Sequence, residues 1–208
     1  MINFKVNFKV DDMEGKTVLV FLKPQLPQRN YRIHAWQVLP GSAGASETFS
    51  YEDVIAVDVT PDHSVAGKVI TSGRRVIKPG QLFQATTPGT PLIFLEPASS
   101  NMAQQKLTPQ QCGVVNKTAP FQQFNANWYV NDHPVVTMPY IDSNMTVSFE
   151  YEPTFYFMVA SPPMVGQTYI VQNFSDMTQY VAPVTATNVV VDLTRNQGLW
   201  HFDFFATR

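Results

Sequence analysis

The chain has 208 residues, enough for one large β-domain or two small ones, and enough to bury a core without staples. Only 14% of the residues are charged, against roughly 25% in a typical soluble domain, and the formal net charge of -2 leaves no basic footprint for nucleic acid. The single Cys112 excludes an internal disulfide, no apolar run approaches the ~20 residues that span a bilayer, and weak net charge favours self-association.

At the N-terminus Ile2, Phe4, Val6, Phe8 and Val10 alternate with Asn3, Lys5, Asn7 and Lys9. This is the period of a strand with one buried face, not of a secretion signal. Asp11-Asp12-Met13-Glu14-Gly15 supplies turn chemistry before Thr17–Leu22 resumes the apolar pattern, so the two segments are expected to pair as a hairpin. Residues 31–39 place Tyr31, Ile33 and Ala35 on one face, with Arg32, His34, Trp36 and Val38 on the other. Pro40-Gly41-Ser42-Ala43-Gly44 is a break, after which 47–59 reads as one long strand or two short ones. Further strands are expected at 69–76, 81–86, 91–95, 113–115, 127–130, 145–151, 154–160, 168–172, 179–181, 188–193 and 199–205. Only 101–111 has a helix-compatible composition, ended by Pro109.

Sixteen prolines and ten glycines are scattered without a linker, so 1–208 reads as a single β-sandwich domain. An internal echo runs through 31–60 and 124–160. Ser50-Tyr51-Glu52-Asp53-Val54-Ile55-Ala56-Val57-Asp58-Val59 parallels Glu150-Tyr151-Glu152-Pro153-Thr154-Phe155-Tyr156-Phe157-Met158-Val159, each behind a tryptophan strand, Ala35-Trp36-Gln37-Val38 and Asn127-Trp128-Tyr129-Val130. Both a duplicated half-sandwich and the chance reuse of common β-strings account for it.

The order of these segments carries a family resemblance. Val20-Phe21-Leu22-Lys23-Pro24, Ala35-Trp36, Glu47-Thr48-Phe49-Ser50-Tyr51 and the run from Met145 to Tyr156 resemble the bacterial rhizosphere-induced RhiA-like proteins, with 88–111 departing from the pattern. The resemblance implies a small, soluble, strand-rich protein under cell-density control without a settled biochemical activity, and brings no functional residues with it.

The histidines His34, His63, His133 and His201 are dispersed and show no metal-ligand spacing, so neither metal nor cofactor is expected. Cys112 reads as a small buried apolar residue, and no phosphate-cradling glycine loop occurs. Glu150 and Glu152 read as the solvated face of a strand, and Arg74-Arg75 is too small a basic patch for a membrane or nucleic acid. Acceptor patterns for N-glycosylation at Asn116, Asn144 and Asn173 read as coincidence in a chain rich in Asn and Thr. Asp58, alone in an apolar run, and Asp203, on the face of His201 opposite Trp200, Phe202 and Phe204, stand out more.

Aromatic side chains on sandwiches serve either the core or a sugar-stacking platform, and Trp36, Trp128, Tyr129, Tyr140 and Trp200 are open to both readings. The alternation that buries Trp128 turns Asn127, Tyr129 and Asn131 outward, so the expected ligand site is Tyr129, Asn127, Asn131 and Tyr140. The sequence thus predicts an all-β, two-sheet antiparallel sandwich, open to a two-half construction and with at most one short helix. Its expected role is non-enzymatic, self-associating into a homo-oligomer, with a glycan- or small-ligand-binding module as the alternative. Cytoplasmic residence, or release without a cleaved signal, is the expected location.

Overall fold

The computed structural model describes residues 1–24, 31–61, 70–88, 92–119, 122–150, 154–161, 170–171 and 177–208. Alternating and continuous apolar runs form β1 (Ile2–Phe8), β2 (Thr17–Leu22), β3 (Arg32–Leu39), β4 (Ser46–Tyr51), β5 (Ile55–Pro61), β6 (Arg75–Val76), β7 (Leu82–Thr86) and β8 (Phe94–Pro97). After the helix α1 (Ser100–Lys106) follow β9 (Cys112–Asn116), β10 (Phe124–Val130), β11 (His133–Ile141), β12 (Thr146–Phe149) and β13 (Thr154–Ala160). The last strands are β14 (Ile170–Val171), β15 (Thr178–Val181), β16 (Asn188–Asn196) and β17 (Leu199–Thr207). The fold is all-β and sandwich-like, and α1 begins where the Ser99 side chain accepts a hydrogen bond from the Met102 backbone N–H.

The chain divides into two compact units. The first comprises Met1–Lys23, Ile33–Asp53 and Pro153–Arg208; the second comprises Pro24–Arg32 and Val54–Glu152. In the first, one sheet has the order β17-β16-β1-β4 and the other β15-β13-β2-β3, with β14 beside β3. In the second, the corresponding orders are β8-β7-β9-β12 and β6-β5-β10-β11.

These two schemes coincide pairing by pairing. Starting from β13, the first unit reads β13, β15, β16, β17 and then β1, β2, β3, β4; the second reads β5 to β12 in uninterrupted order. Among the described residues each has a single parallel pairing, β1 with β16 and β7 with β9, and its other pairings are antiparallel. Under this correspondence β4 leading to β5 matches β12 leading to β13, which is where the echo of 50–59 in 150–159 falls. The tryptophan strands do not correspond: Trp36 stands on β3, whose counterpart is β11, whereas Trp128 stands on β10.

The expected hairpin of the first two strands does not form. β1 pairs with β4 and β16, and β2 with β3 and β13, so 9–16 carries the chain from one sheet to the other. All six residues of β2 are buried, which requires a strand on each flank and cover on both faces, while Asn3 and Lys5 of β1 stay exposed. The connection is itself packed: Met13 is buried, and the Asp12 carboxylate accepts from the Glu14 N–H at 2.7 Å.

Two further departures have local causes. In β3, Val20 faces Gln37 and Phe21 faces Ala35, so Trp36 is an extra residue whose bulge lets Ile33, Trp36 and Leu39 all be buried, against simple alternation. β11 was not expected because Pro134 and Pro139 punctuate it; the strand tolerates them beside register shifts in its pairing with β10.

The first unit is packed with aromatic rings. Phe4 stacks on Phe49 at 4.7 Å and meets Phe155 at the same distance, Trp36 stands edge-on to Phe49 and Tyr51, and Phe157 contacts Phe202 and Phe204. Before β4 the chain runs so close to the Phe8 ring that a Cβ at Gly41 would overlap it. The second unit is built around Trp128 stacked on Phe149 at 5.0 Å, with α1 covering a smaller cluster of Leu82, Ala103 and Val115. Phe49 and Phe149 occupy matching positions on β4 and β12, so each unit sets a tryptophan against the same phenylalanine. Cys112 is buried beside them, its thiol donating to the Phe149 carbonyl.

Candidate functional site

Trp128 is fully buried, and alternation turns its neighbours Asn127 and Tyr129 to the other face of β10, where both are half-buried. Asn127 lies opposite Asp58 on β5 and Thr137 on β11, which brings three polar residues into one row. The Asn127 amide donates to Asp58 Oδ1 at 2.8 Å, the Tyr129 hydroxyl donates to Asp58 Oδ2 at 3.0 Å, and Thr137 Oγ1 donates to Asn127 Oδ1 at 2.9 Å. Asp58 is only 8% exposed, so these hydrogen bonds compensate a carboxylate held largely away from water.

Arg74 closes the row at one end. Its guanidinium carbon lies 3.7 Å from the centre of the Tyr129 ring, and its Nη1 donates to the Asp132 carboxylate at 2.9 Å and to the Asp132 carbonyl at 3.1 Å. Asp132 and Asn131 form the turn between β10 and β11, with φ of 65° and 49°, a backbone region that Asn and Asp adopt more readily than other side chains. Burial raises the Tyr129 hydroxyl above its ordinary pKa; the negative charge and hydrogen bond of Asp58 raise it further, and Arg74 offsets part of this. Beside Arg74 opens a cleft of about 580 Å³ lined by Arg75, Val76, Leu82, Ala103 and Gln104.

Of the expected ligand residues, Asn127 and Tyr129 converge and the other two do not. Asn131 belongs to the turn, where its N–H donates to the Val54 carbonyl. Tyr140, half exposed and at φ 58°, lies near Asn125, four residues or about 13 Å along β10 from Tyr129. Trp36 and Trp128 are core residues, and Trp200 is half-buried under the Arg195 guanidinium at 4.9 Å. Arg74, Asp132 and Thr137 complete the row without having been expected; Thr137 and the turn follow from β11, which the prolines obscured.

Every oxygen of Asp58 and the hydroxyl of Tyr129 are thus engaged internally, and one ring face of Tyr129 is covered by Arg74. In the first unit the positions matching Asp58, Asn127 and Tyr129 carry Met158, Leu19 and Phe21, paired on β13 and β2 in the same register. The polar row is therefore a property of the second unit and not of the shared scheme.

His34, His133 and His201 stand on three different strands, and among the described residues no three His, Cys, Asp or Glu side chains gather as a metal would need. His63, Glu152 and Asn173 lie outside the described residues. Asn116 is fully buried, its amide donating to the Gln122 and Ile141 carbonyls and its oxygen accepting from Thr118, which leaves no room for a glycan there. Asn144 is exposed and accepts from Lys117.

A second feature lies at the rim of the first unit. β17 pairs with β16 in unbroken register from Asn188 opposite Thr207 to Asn196 opposite Leu199, and among the described residues β16 is its one strand neighbour. It buries Phe202 and exposes Leu199 and Phe205 by 66% and 54%.

No family model, curated protein or solved structure matches this chain. No helix among the described residues is long and apolar enough to cross a membrane.

Proposed function

We propose that this chain is a non-catalytic interaction protein, of RhiA-like kind, that assembles with copies of itself through a sheet edge. The observation that carries this reading is β17. A terminal strand offers a row of unpaired N–H and C=O groups, and proteins that must stay apart blunt such strands with proline, lysine, bulges or brevity. β17 has nine residues, no proline, no lysine and no register shift. The weak net charge removes a barrier to association, and the polar row of Asp58, Asn127 and Tyr129 is committed to internal hydrogen bonds.

Light scattering across a concentration series is expected to show mass rising with concentration. Phe205→Lys, at an exposed position of the edge, is expected to return the protein to monomer without changing its circular dichroism. A wild-type protein that stays monomeric at the highest concentration would sink the reading.

A second reading, a small polar ligand on the row of Asp58, Asn127 and Tyr129, is favoured by the placement of three polar groups where the first unit carries apolar ones. A ring-stacking ligand would have to displace Arg74, so Arg74→Ala is expected to strengthen glycan binding.

A further inference from the structure

The self-association read from β17 leaves open how two edges meet, and the residues of this strand restrict the answer. Leu199, His201, Asp203 and Phe205 face outward, while Trp200, Phe202 and Phe204 face the core side, where Phe204 stacks on Tyr180 at 4.4 Å. We propose that two copies pair β17 against β17, antiparallel, about a two-fold axis through Phe202, joining the sheet β4-β1-β16-β17 of each into one continuous eight-stranded sheet. The proposal rests on the self-association reading and adds to it a partner surface and a register.

With the axis at Phe202, His201 lies opposite Asp203 of the second copy, and Asp203 opposite its His201. Leu199 meets Phe205 on the same face, and Trp200 meets Phe204 on the other. The strand is thus its own complement in hydrogen-bond donor and acceptor and in apolar bulk. Other registers lose this: an axis at Asp203 sets two carboxylates face to face, an axis at His201 sets two imidazoles face to face, and an axis at Phe204 sets Asp203 against Phe205 and His201 against Thr207. A shift by a single residue in pairing would set core-facing side chains against outward ones.

Asp203 has further reason to accept such a neighbour. Within one copy its cross-strand neighbour on β16 is Asp192, a like charge already claimed by Lys9 at 2.7 Å and Asn7 at 2.8 Å. Asp203 is exposed and has no hydrogen-bond partner among the described residues, and the same holds for His201. The second copy supplies a donor to the first and an acceptor to the second.

Cysteine pairing in the full-length chain tests the register. In an antiparallel pair, directly opposite residues come within disulfide reach, and diagonal neighbours lie about 7–8 Å apart, too far to bridge without backbone movement. A mixture of His201→Cys and Asp203→Cys proteins is expected to form a disulfide-linked heterodimer under mild oxidation, whereas neither variant alone cross-links appreciably. As a second measurement, His201→Asp is expected to weaken dimerisation about tenfold or more, because carboxylates then face each other, and the exchanged pair H201D/D203H to restore it, because both imidazole–carboxylate contacts reappear. Dimers in solution whose single variants cross-link as readily as the mixture, or whose exchanged pair stays weak, would overturn this register and leave edge association standing. A strictly monomeric wild type would overturn both.

Discussion

β8 and β17 hold the same place in the scheme shared by the two units, yet β8 stops after four residues at Pro97 and β17 runs for nine without a proline. Beyond Pro97 the Ala98 N–H returns to the Leu82 carbonyl and the chain turns into α1, whose Ala103 packs against Leu82 and Val115. The second unit thus spends its chain on closing its rim, and the first leaves its rim open. The faces differ in the opposite sense: Asp58 and Asn127 of the second unit stand where the first has Met158 and Leu19. A strand scheme does not determine what its surfaces do; a few side chains at corresponding positions and the length of one outer strand decide it.

The comparison breaks most readily in the cores. Trp36→Ala and Trp128→Ala are each expected to cost about 3–5 kcal/mol, since each empties a ring-sized space against the matching Phe49 or Phe149. Trp128→Phe should cost far less, because the indole N–H of Trp128 is buried without a partner among the described residues and its removal relieves an unmet donor. Denaturant midpoints of the three variants check this; a Trp128→Phe as damaging as Trp128→Ala would contradict the packing account.

A smaller effect sharpens the difference between the faces. Asp58→Ala leaves the Asn127 amide and Tyr129 hydroxyl without their acceptor and is expected to cost about 1–3 kcal/mol. In Asp58→Asn the negative charge beside the phenol is gone, so Tyr129 is expected to ionise at lower pH than in the wild type, read by ultraviolet titration. An unchanged titration would show that burial alone sets it.

Much of this was legible from period two alone. The alternation in β1 and β17, the burial of Trp128 and the outward turn of Asn127 and Tyr129 all follow from it. Pairing partners were not: nothing local to 2–8 says that Phe4 lies beside Val189, across most of the chain, and a turn-rich connection of eight residues reads equally as a hairpin or a crossing between sheets. Arg74 is not legible as a partner of Tyr129 because nothing local to either residue says that 74 lies beside the turn after β10, nor is the bulge at Trp36, whose extra residue is defined by the strand opposite.

The smallest expected effect concerns acid stability in the first unit. Hydrogen bonds from Lys9 and then Asn7 hold the Asp192 carboxyl below its ordinary pKa. A depressed carboxylate stabilises the fold above its unfolded pKa of about 3.9, and that contribution fades as pH falls through the lower folded value. Asp192→Asn is expected to flatten the acid limb of the stability curve, measured by chemical denaturation between about pH 5 and pH 2.

The first unit is assembled from segments that precede and follow β5 to β12 of the second, and this has a consequence for its synthesis. The ribosome delivers β1 to β4 first, but their later partners β13, β14 and β16 emerge only after the whole of the second unit, whose strands are contiguous and can close on themselves as they appear. Until then Phe4, Val6, Phe8 and Phe49 wait without their eventual cover, so the nascent N-terminal quarter is the stage at which a chaperone has most to protect.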